Sequence, residues 1–408
     1  MRNLILAITV CLSVSANSAK ADNLKLETES KSGDLIIESI RCEGNTETQC
    51  EFIKQKIFIN AGDILSEEEV SNSKIRLATL PNFKSTDIFL KKGSQRGKVI
   101  LVVKVAEENP YLSELTVGTN FNGGTVSETL GGRVSHQNLF GKGKILDLEI
   151  RALVPVSNEN VDSHHFDGQI TYTDPHLFNT KKYFYKTGLS YHKVSSKFND
   201  GDSYESKKLL LEFSLGRRIY DFSYISFGLG KYLNSKIEGR YVYNDGTTEN
   251  YTFYPSDSFG FEYGWDTEDD SYFPTKGSRF ATSLFYSNSK GQEGLNLQVG
   301  LGGRRTWSTT GGTIWTLKIG GNPQTALRNY YEDGMGYSLS YARPINASKF
   351  ESINKGRWYI EPGFNGVGYS SSQGTIYQAG AKAGVRLDTK ALGIVDLYAF
   401  GRSEWSNR

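Results

Sequence analysis

Few side chains in this 408-residue sequence are of types and spacings that could do chemistry. Three cysteines and five histidines are its whole supply of soft metal ligands, and neither His nor a second Cys pair lies near Cys42 and Cys50 to complete a zinc-type set. The sequence has no Gly-x-Ser-x-Gly elbow and no order of Ser, His and Asp that would support a nucleophile relay. His164 and His165 stand together in a polar stretch and read as solvated. The expectation is a chain with no catalytic residue, no metal and no cofactor. The one covalent event expected is oxidation of Cys42 with Cys50. A loop this short would contribute about 2.5 kcal/mol in the chain-entropy account, useful where a small domain has a thin core. The alternative is a pair of unpaired thiols.

Oxidation needs an exported setting, and the N-terminus offers one. Met1 to Ala21 carries Arg2, an apolar run from Leu4 to Val14 and a small-x-small site at Ala19-Lys20-Ala21, which reads as a cleaved secretory signal over residues 1–21. That run would span only about half of a bilayer as helix, which argues against an anchor. Cys11 lies inside it behind Val10, too large for the residue before a lipid-anchored cysteine, and is expected to leave with the signal. Cys42 and Cys50 then face an oxidising compartment.

Composition narrows the fold. Lys and Arg number 47 against 45 Asp and Glu, and a net charge of +2 gives no basic surface for nucleic acid. Hydrophobic content is 38% with a mean hydropathy of −0.44, yet aromatics reach 12% beside 43 Gly, 24 Tyr and 22 Phe. Disordered chains lack such aromatics, and helical membrane proteins need repeated apolar runs of about 18 residues. A transmembrane β-barrel fits, because alternating lipid-facing and lumen-facing residues hide its hydrophobicity from any average.

Two regions with different patterning position everything else. Residues 34–108 read as strand, helix, helix, strand, strand, with Ser66-Glu-Glu-Glu69 as a capping box opening the second helix and a hairpin around Gly93 to Gly97. Residues 111–408 read as strands alone, in segments of about ten residues divided by Gly, Asn, Asp and Ser, such as Leu146, Leu148 and Ile150 set against Asp147, Glu149 and Arg151. Such segments number about fifteen. Pro362 alone among the prolines intrudes on a strand, which predicts a bulge or weakened pairing. Connections are expected to alternate between tight turns on one side and long loops on the other, the longest being an extracellular loop from Asn234 to Tyr254.

Four stretches together resemble the BamA/TamA-like outer-membrane assembly family of surface-antigen type. Ile37-Glu-Ser-Ile-Arg-Cys-Glu-Gly-Asn-Thr46, Ala61-Gly-Asp-Ile-Leu-Ser66 and Leu80-Pro-Asn-Phe83 look like one POTRA module. Asn138-Leu-Phe-Gly-Lys-Gly143 and Asp174-Pro-His-Leu-Phe178 are similar to the first turns of the family barrel. Asp266-Thr-Glu-Asp-Asp270 leading to Phe273-Pro-Thr-Lys-Gly277 is the most specific, so Asp266, Phe273, Pro274 and Gly277 mark a conserved-type turn. Ala326-Leu-Arg-Asn-Tyr330 resembles the loop tip that folds back into that barrel, with Asn329 where Gly is usual.

The resemblance implies a mainly β protein, a transmembrane antiparallel barrel of about 16 strands preceded by a single α/β POTRA domain; after Asp388 to Gly393, where the family has two strands, only Ile394 to Phe400 reads as one, so either a strand is missing at the C-terminus, the barrel closes with an odd count, or Trp405 belongs to a remnant. It implies the bacterial outer membrane with the POTRA domain in the periplasm, and Arg328, Asn329 and Tyr330 as a loop tip in the lumen. An Arg there needs an acidic partner, and the parity of Tyr359, Glu361 and Gly363 offers Glu361. The partners implied are outer-membrane lipid, an unfolded polypeptide client at the POTRA sheet edge and accessory assembly proteins. The expected function is insertion or translocation of polypeptides; the alternative is a passive channel or surface receptor.

Overall fold

The computed structural model describes residues 35–406 apart from 81, 123–124, 158–160, 199–200, 221, 244–245, 256, 269–272, 288–295, 323–331, 347–349, 370–374 and 391. The expected signal, and the loop tip Arg328, Asn329 and Tyr330, lie outside the described residues.

The first unit runs β1 (Ile36–Glu43), α1 (Cys50–Lys56), α2 (Glu67–Ala78), β2 (Phe83–Lys92) and β3 (Lys98–Glu107). Its sheet has the order β1-β3-β2, with β3 parallel to β1 and antiparallel to β2. The apolar run Val99 to Val105 makes β3 the central strand, where Leu101, Val102 and Val103 are wholly buried. Helix α2 starts where the Ser66 hydroxyl accepts the Glu69 N–H, and Glu67, Glu68 and Glu69 sit favourably at its positive end. Phe52, Ile53 and Leu77 from the helices close over Ile37, Leu101 and Val103. Each such side chain, fully buried, contributes about 1.5–3 kcal/mol. A disulfide joins Cys42 near the end of β1 to Cys50 at the start of α1.

The barrel wall begins with β4 (Tyr111–Asn122), β5 (Thr125–Leu139), β6 (Lys144–Ser157), β7 (Val161–Asp174), β8 (Tyr183–Phe198), β9 (Ser203–Tyr220) and β10 (Ser223–Tyr232). A hairpin of β11 (Lys236–Val242) and β12 (Thr248–Phe253) follows. The wall resumes with β13 (Ser258–Asp266), β14 (Gly277–Ser287), β15 (Asn296–Ser308), β16 (Ile314–Asn322), β17 (Glu332–Pro344), β18 (Ile353–Tyr369), β19 (Thr375–Thr389) and β20 (Gly393–Ser406). Alternation sets the two faces: Leu146, Leu148 and Ile150 are exposed on the outside, while Arg133 reaches Asp147 at 2.9 Å on the inside.

Several expectations change here. The stretch 234–254, read as a plain loop, holds the β11–β12 hairpin; β11 pairs with β9, so the wall is extended there while β10 passes directly to β13. The closed wall of described strands is β4–β10 and β13–β20, fifteen in number. An odd count makes the first and last strands of an up-and-down barrel run the same way, so the seam is parallel, from Ile394 against Glu114 to Arg402 against Asn122. Short and long connections do not divide by side: β4 and β5 are joined by 123–124 at the end far from the small domain, and β13 and β14 by 267–276 at the near end. Pro362 produces no bulge against β19, where it pairs with Ala381. On its other side β17–β18 pairing lapses at Leu339 and Ser340 while the register is kept from Ser338–Gly363 to Tyr341–Ile360, the expected weakened pairing that a missing N–H gives.

Candidate functional site

The lumen wall from β16 to β20 carries a ladder of paired charges. Parity along β18 turns Trp358 and Ile360 outward, exposed, and places Tyr359 and Glu361 inside. Glu361 accepts from Lys318 Nζ at 2.7 Å and from the Ser338 hydroxyl at 2.8 Å. Two strands further on, Asp396 accepts from Arg386 at 2.9 Å and from the Tyr359 hydroxyl at 2.9 Å, with Lys382 Nζ at 3.4 Å. Lys382 itself lies 3.8 Å from the centre of the Tyr398 ring. Beside this ladder a cavity of about 340 Å³ is walled by Gly320, Gly336, Gly363 and Gly380, whose missing side chains leave the space. Glu361 therefore faces the lumen with Lys318 as its partner; Arg328, its expected partner, lies outside the described residues.

The conserved-type turn folds inward. Glu268, whose side chain is 1% exposed, accepts side-on from Nε and Nη2 of Arg304 and lies 3.6 Å from Arg279. Arg279 in turn donates to Asp266 at 2.7 Å. Further along the same turn, Phe273 lies under the Arg357 guanidinium at 5.4 Å and the Pro274 carbonyl accepts from Arg357 at 3.3 Å. Arg357 belongs to β18, so this turn crosses part of the near mouth of the barrel. Gly277, with φ of 112°, allows the chain back into β14, since a Cβ there would meet the Thr267 carbonyl.

The small domain docks on the turns at that same mouth. Asn138 donates to the Thr48 hydroxyl at 2.9 Å and accepts the Gly143 N–H at 2.8 Å. The Gln49 N–H donates to the Gly141 carbonyl at 2.8 Å, and its side chain to Phe140 at 3.0 Å. Gln55 reaches the Asn179 carbonyl and Lys181 reaches the Ile57 carbonyl at 2.8 Å, while Phe52 meets the His176 ring edge-on. The docking loop is held from behind by Glu107, which accepts from the Thr46, Glu47 and Thr48 backbone N–H groups. Burial acts to raise the Glu107 carboxyl, but the hydrogen bonds from Thr46, Thr48 and Glu47 outweigh it and hold it down to about 2. Between α1, α2 and the rim a second cavity of about 350 Å³ opens below the lumen.

Parity located Glu361 from the sequence, and the motifs located both docking turns. Lys318, Lys382, Arg386 and Asp396 were missed. Cross-strand registry would have found the last three, since Glu361 pairs directly with Lys382 and Arg386 with Asp396, but registry is not readable from one strand at a time. Among the described residues no cluster of His, Cys, Asp and Glu is arranged to hold a metal ion.

Residues 138–340 match the model of the Omp85 superfamily domain. Among solved structures, CdiB from Acinetobacter baumannii is similar at TM-score 0.56 and 13% identity, over 88% of this chain and 69% of that one. CdiB from Escherichia coli gives TM-score 0.56 at 12% identity, over 88% of this chain and 70% of that one. BamA from Haemophilus ducreyi lacking POTRA domains 1-3 aligns over 91% of this chain and 85% of that one, at 15% identity and TM-score 0.44. At these identities the likeness to the solved structures is one of fold.

Proposed function

Since the chain is an outer-membrane barrel of the Omp85 superfamily with a POTRA-like domain, and that superfamily's transport and assembly proteins are non-enzymatic, we propose that it assists insertion or translocation of polypeptides. In this reading the small domain lies in the periplasm and offers an unfolded client a sheet edge, where main-chain hydrogen bonds give affinity without strict sequence demands.

The observation that carries the reading is the asymmetry of that sheet. The outer edge of β1 is covered at its start, where Ile37 donates to the Asp63 carbonyl and Leu65 to the Leu35 carbonyl. Along Lys84 to Lys92 no backbone group among the described residues pairs with the outer edge of β2. The client strand is therefore assigned to β2, whose Lys84, Lys91 and Lys92 discourage pairing between copies of the protein without blocking a client. The barrel would then lower the cost of moving strands whose polar backbone cannot enter lipid unpaired. Arg328 is assigned to the lumen, joining Lys318 at Glu361.

A photo-reactive side chain at Ser85 in β2 tests the edge assignment, with Ser39 in β1 as the comparison. Capture of an unfolded outer-membrane protein at Ser85 and much less at Ser39 is the expected outcome. Equal capture, or none at either, removes the reading's main support. The passive-channel alternative predicts none at either position and free conductance through the barrel.

A further inference from the structure

Three cations from three elements converge on the cavity below the lumen: Lys56 at the end of α1, Arg76 in the last turn of α2 and Arg218 near the end of β9. Each is seated on aromatic rings. Lys56 lies 5.1 Å from the Phe52 ring, Arg76 lies 5.3 and 5.2 Å from the Phe58 and Phe222 rings, and Arg218 lies 5.3 Å from the Phe184 ring. Arg218 is fixed further by donating to the Pro175 and Lys181 carbonyls at 2.9 and 3.1 Å, which orient its charge without cancelling it. Among the described residues neither Lys56 nor Arg218 has a carboxylate partner. The two carboxylates on the opposite wall, Asp266 and Glu268, are already engaged by Arg279 and Arg304.

Like charges gathered on a low-dielectric aromatic floor repel, and an anion entering the cavity relieves that repulsion. Burial first, then the Arg218 and Arg76 charges, holds the Lys56 ammonium well below the usual lysine range. The neighbouring His176 imidazole is pushed down to about 2 by burial and next by the Lys56 charge. Two groups on different elements thus report one positive field.

We propose that this cavity is an anion subsite that takes the Asp and Glu side chains of an extended polypeptide on its way from the β2 edge to the lumen. The proposal rests on the client-handling function above for its choice of ligand. Position favours a polypeptide over a lipid headgroup. Arg218, Tyr224 and Asp266 project from the inner parity of β9, β10 and β13, while Leu215, Ile225 and Phe261 on the opposite parity are exposed to the lipid side. The cavity volume suits one or two side chains.

The test uses the full mature chain in nanodiscs and two fluorescent extended peptides, one carrying several Asp and Glu and its twin carrying Asn and Gln. Anisotropy should show the acidic peptide binding roughly tenfold tighter at low salt. The gap should close as salt rises, because the attraction is Coulombic. Lys56→Gln should narrow the gap, and Lys56→Gln with Arg218→Gln should abolish it without weakening the neutral twin. Should the double variant lose the heat-modifiable mobility of a folded barrel, Lys56→Gln alone decides. Equal binding of the twins to the natural protein, or an unchanged gap in the variants, overturns the proposal. So does protection of Lys56 from acylation by inorganic phosphate together with no preference for the acidic peptide, which would mark a small-anion site. A preserved acidic preference in a protein that does not promote client insertion would leave the subsite standing and count against the function alone.

Discussion

The ring of Phe52 occupies the space that a side chain on Gly143 would need. Phe52 belongs to the core of the small domain, buried to 3% exposure, and Gly143 to the barrel turn between β5 and β6, at φ of 62°. One aromatic ring therefore belongs to two units, and the turn can accept it only where the residue lacks a Cβ and tolerates the left-handed conformation.

Replacing Gly143 with Ala should undock the small domain. The added methyl meets the Phe52 ring and the residue is strained at its φ, together costing about 1–3 kcal/mol. Hydrogen exchange at the Gln49 amide, which donates to the Gly141 carbonyl in the docked state, should be slow in the natural protein and fast in Gly143→Ala. Unchanged protection would mean that the ring moves aside freely.

Asn138 supports the same joint from the barrel side, with its amide bonded to both Thr48 and Gly143 and the residue 7% exposed. Asn138→Ala should cost about 1–3 kcal/mol of docking by leaving buried groups unpaired. Protease cleavage near Asn109, between the two units, should accelerate accordingly, while barrel mobility on gels stays unchanged.

The docking loop should loosen in acid. The Glu107 carboxyl is held below its ordinary value in the folded protein, so its contribution is present above the unfolded value near 4.5 and is lost as pH falls toward about 2. Protection factors of the Thr46 to Thr48 amides, with the intrinsic pH dependence of exchange divided out, should fall across that window and stay level between pH 5 and 8. In Glu107→Gln the same amides should be exchange-prone at every pH; a natural protein with no acid step would contradict the assignment.

Glu361 accepts from Lys318 and stands across from Lys382 in the β18–β19 pair. With Arg328 in the lumen, Arg328→Glu should raise single-channel conductance by repulsion at Glu361, and Glu361→Arg in the same molecule should partly reverse it. A partly shielded pair exceeds the roughly 0.2–1 kcal/mol of an exposed one, though lumen water keeps it below a dry interior. A double variant no better than the single ones would place Arg328 elsewhere.

How far the sequence reached depended on the length scale of the signal. Local signals held: the Ser66 cap, the Gly93 to Gly97 hairpin, and the inward parity of Glu361 are each decided by neighbouring residues. Relations between distant strands did not show. The β11–β12 hairpin is rich in Thr, Asn, Asp and Gly, a loop-like composition, and only its pairing of β11 with β9 makes it wall. The parallel seam between β20 and β4 follows from the parity of the whole strand count, to which no single segment testifies. The Lys56, Arg76 and Arg218 cluster draws on residues up to 162 positions apart and becomes visible only once the small domain is seated on the rim.

The central claim is that this barrel handles polypeptide clients, and reconstitution tests it most directly. The full mature chain in liposomes should speed the insertion of a urea-unfolded outer-membrane β-barrel well above the rate in empty liposomes, and deletion of residues 34–108 should remove most of that gain while leaving an inserted barrel. If insertion proceeds at the empty-liposome rate while the intact barrel freely conducts small ions, the chain is a channel and the account is wrong.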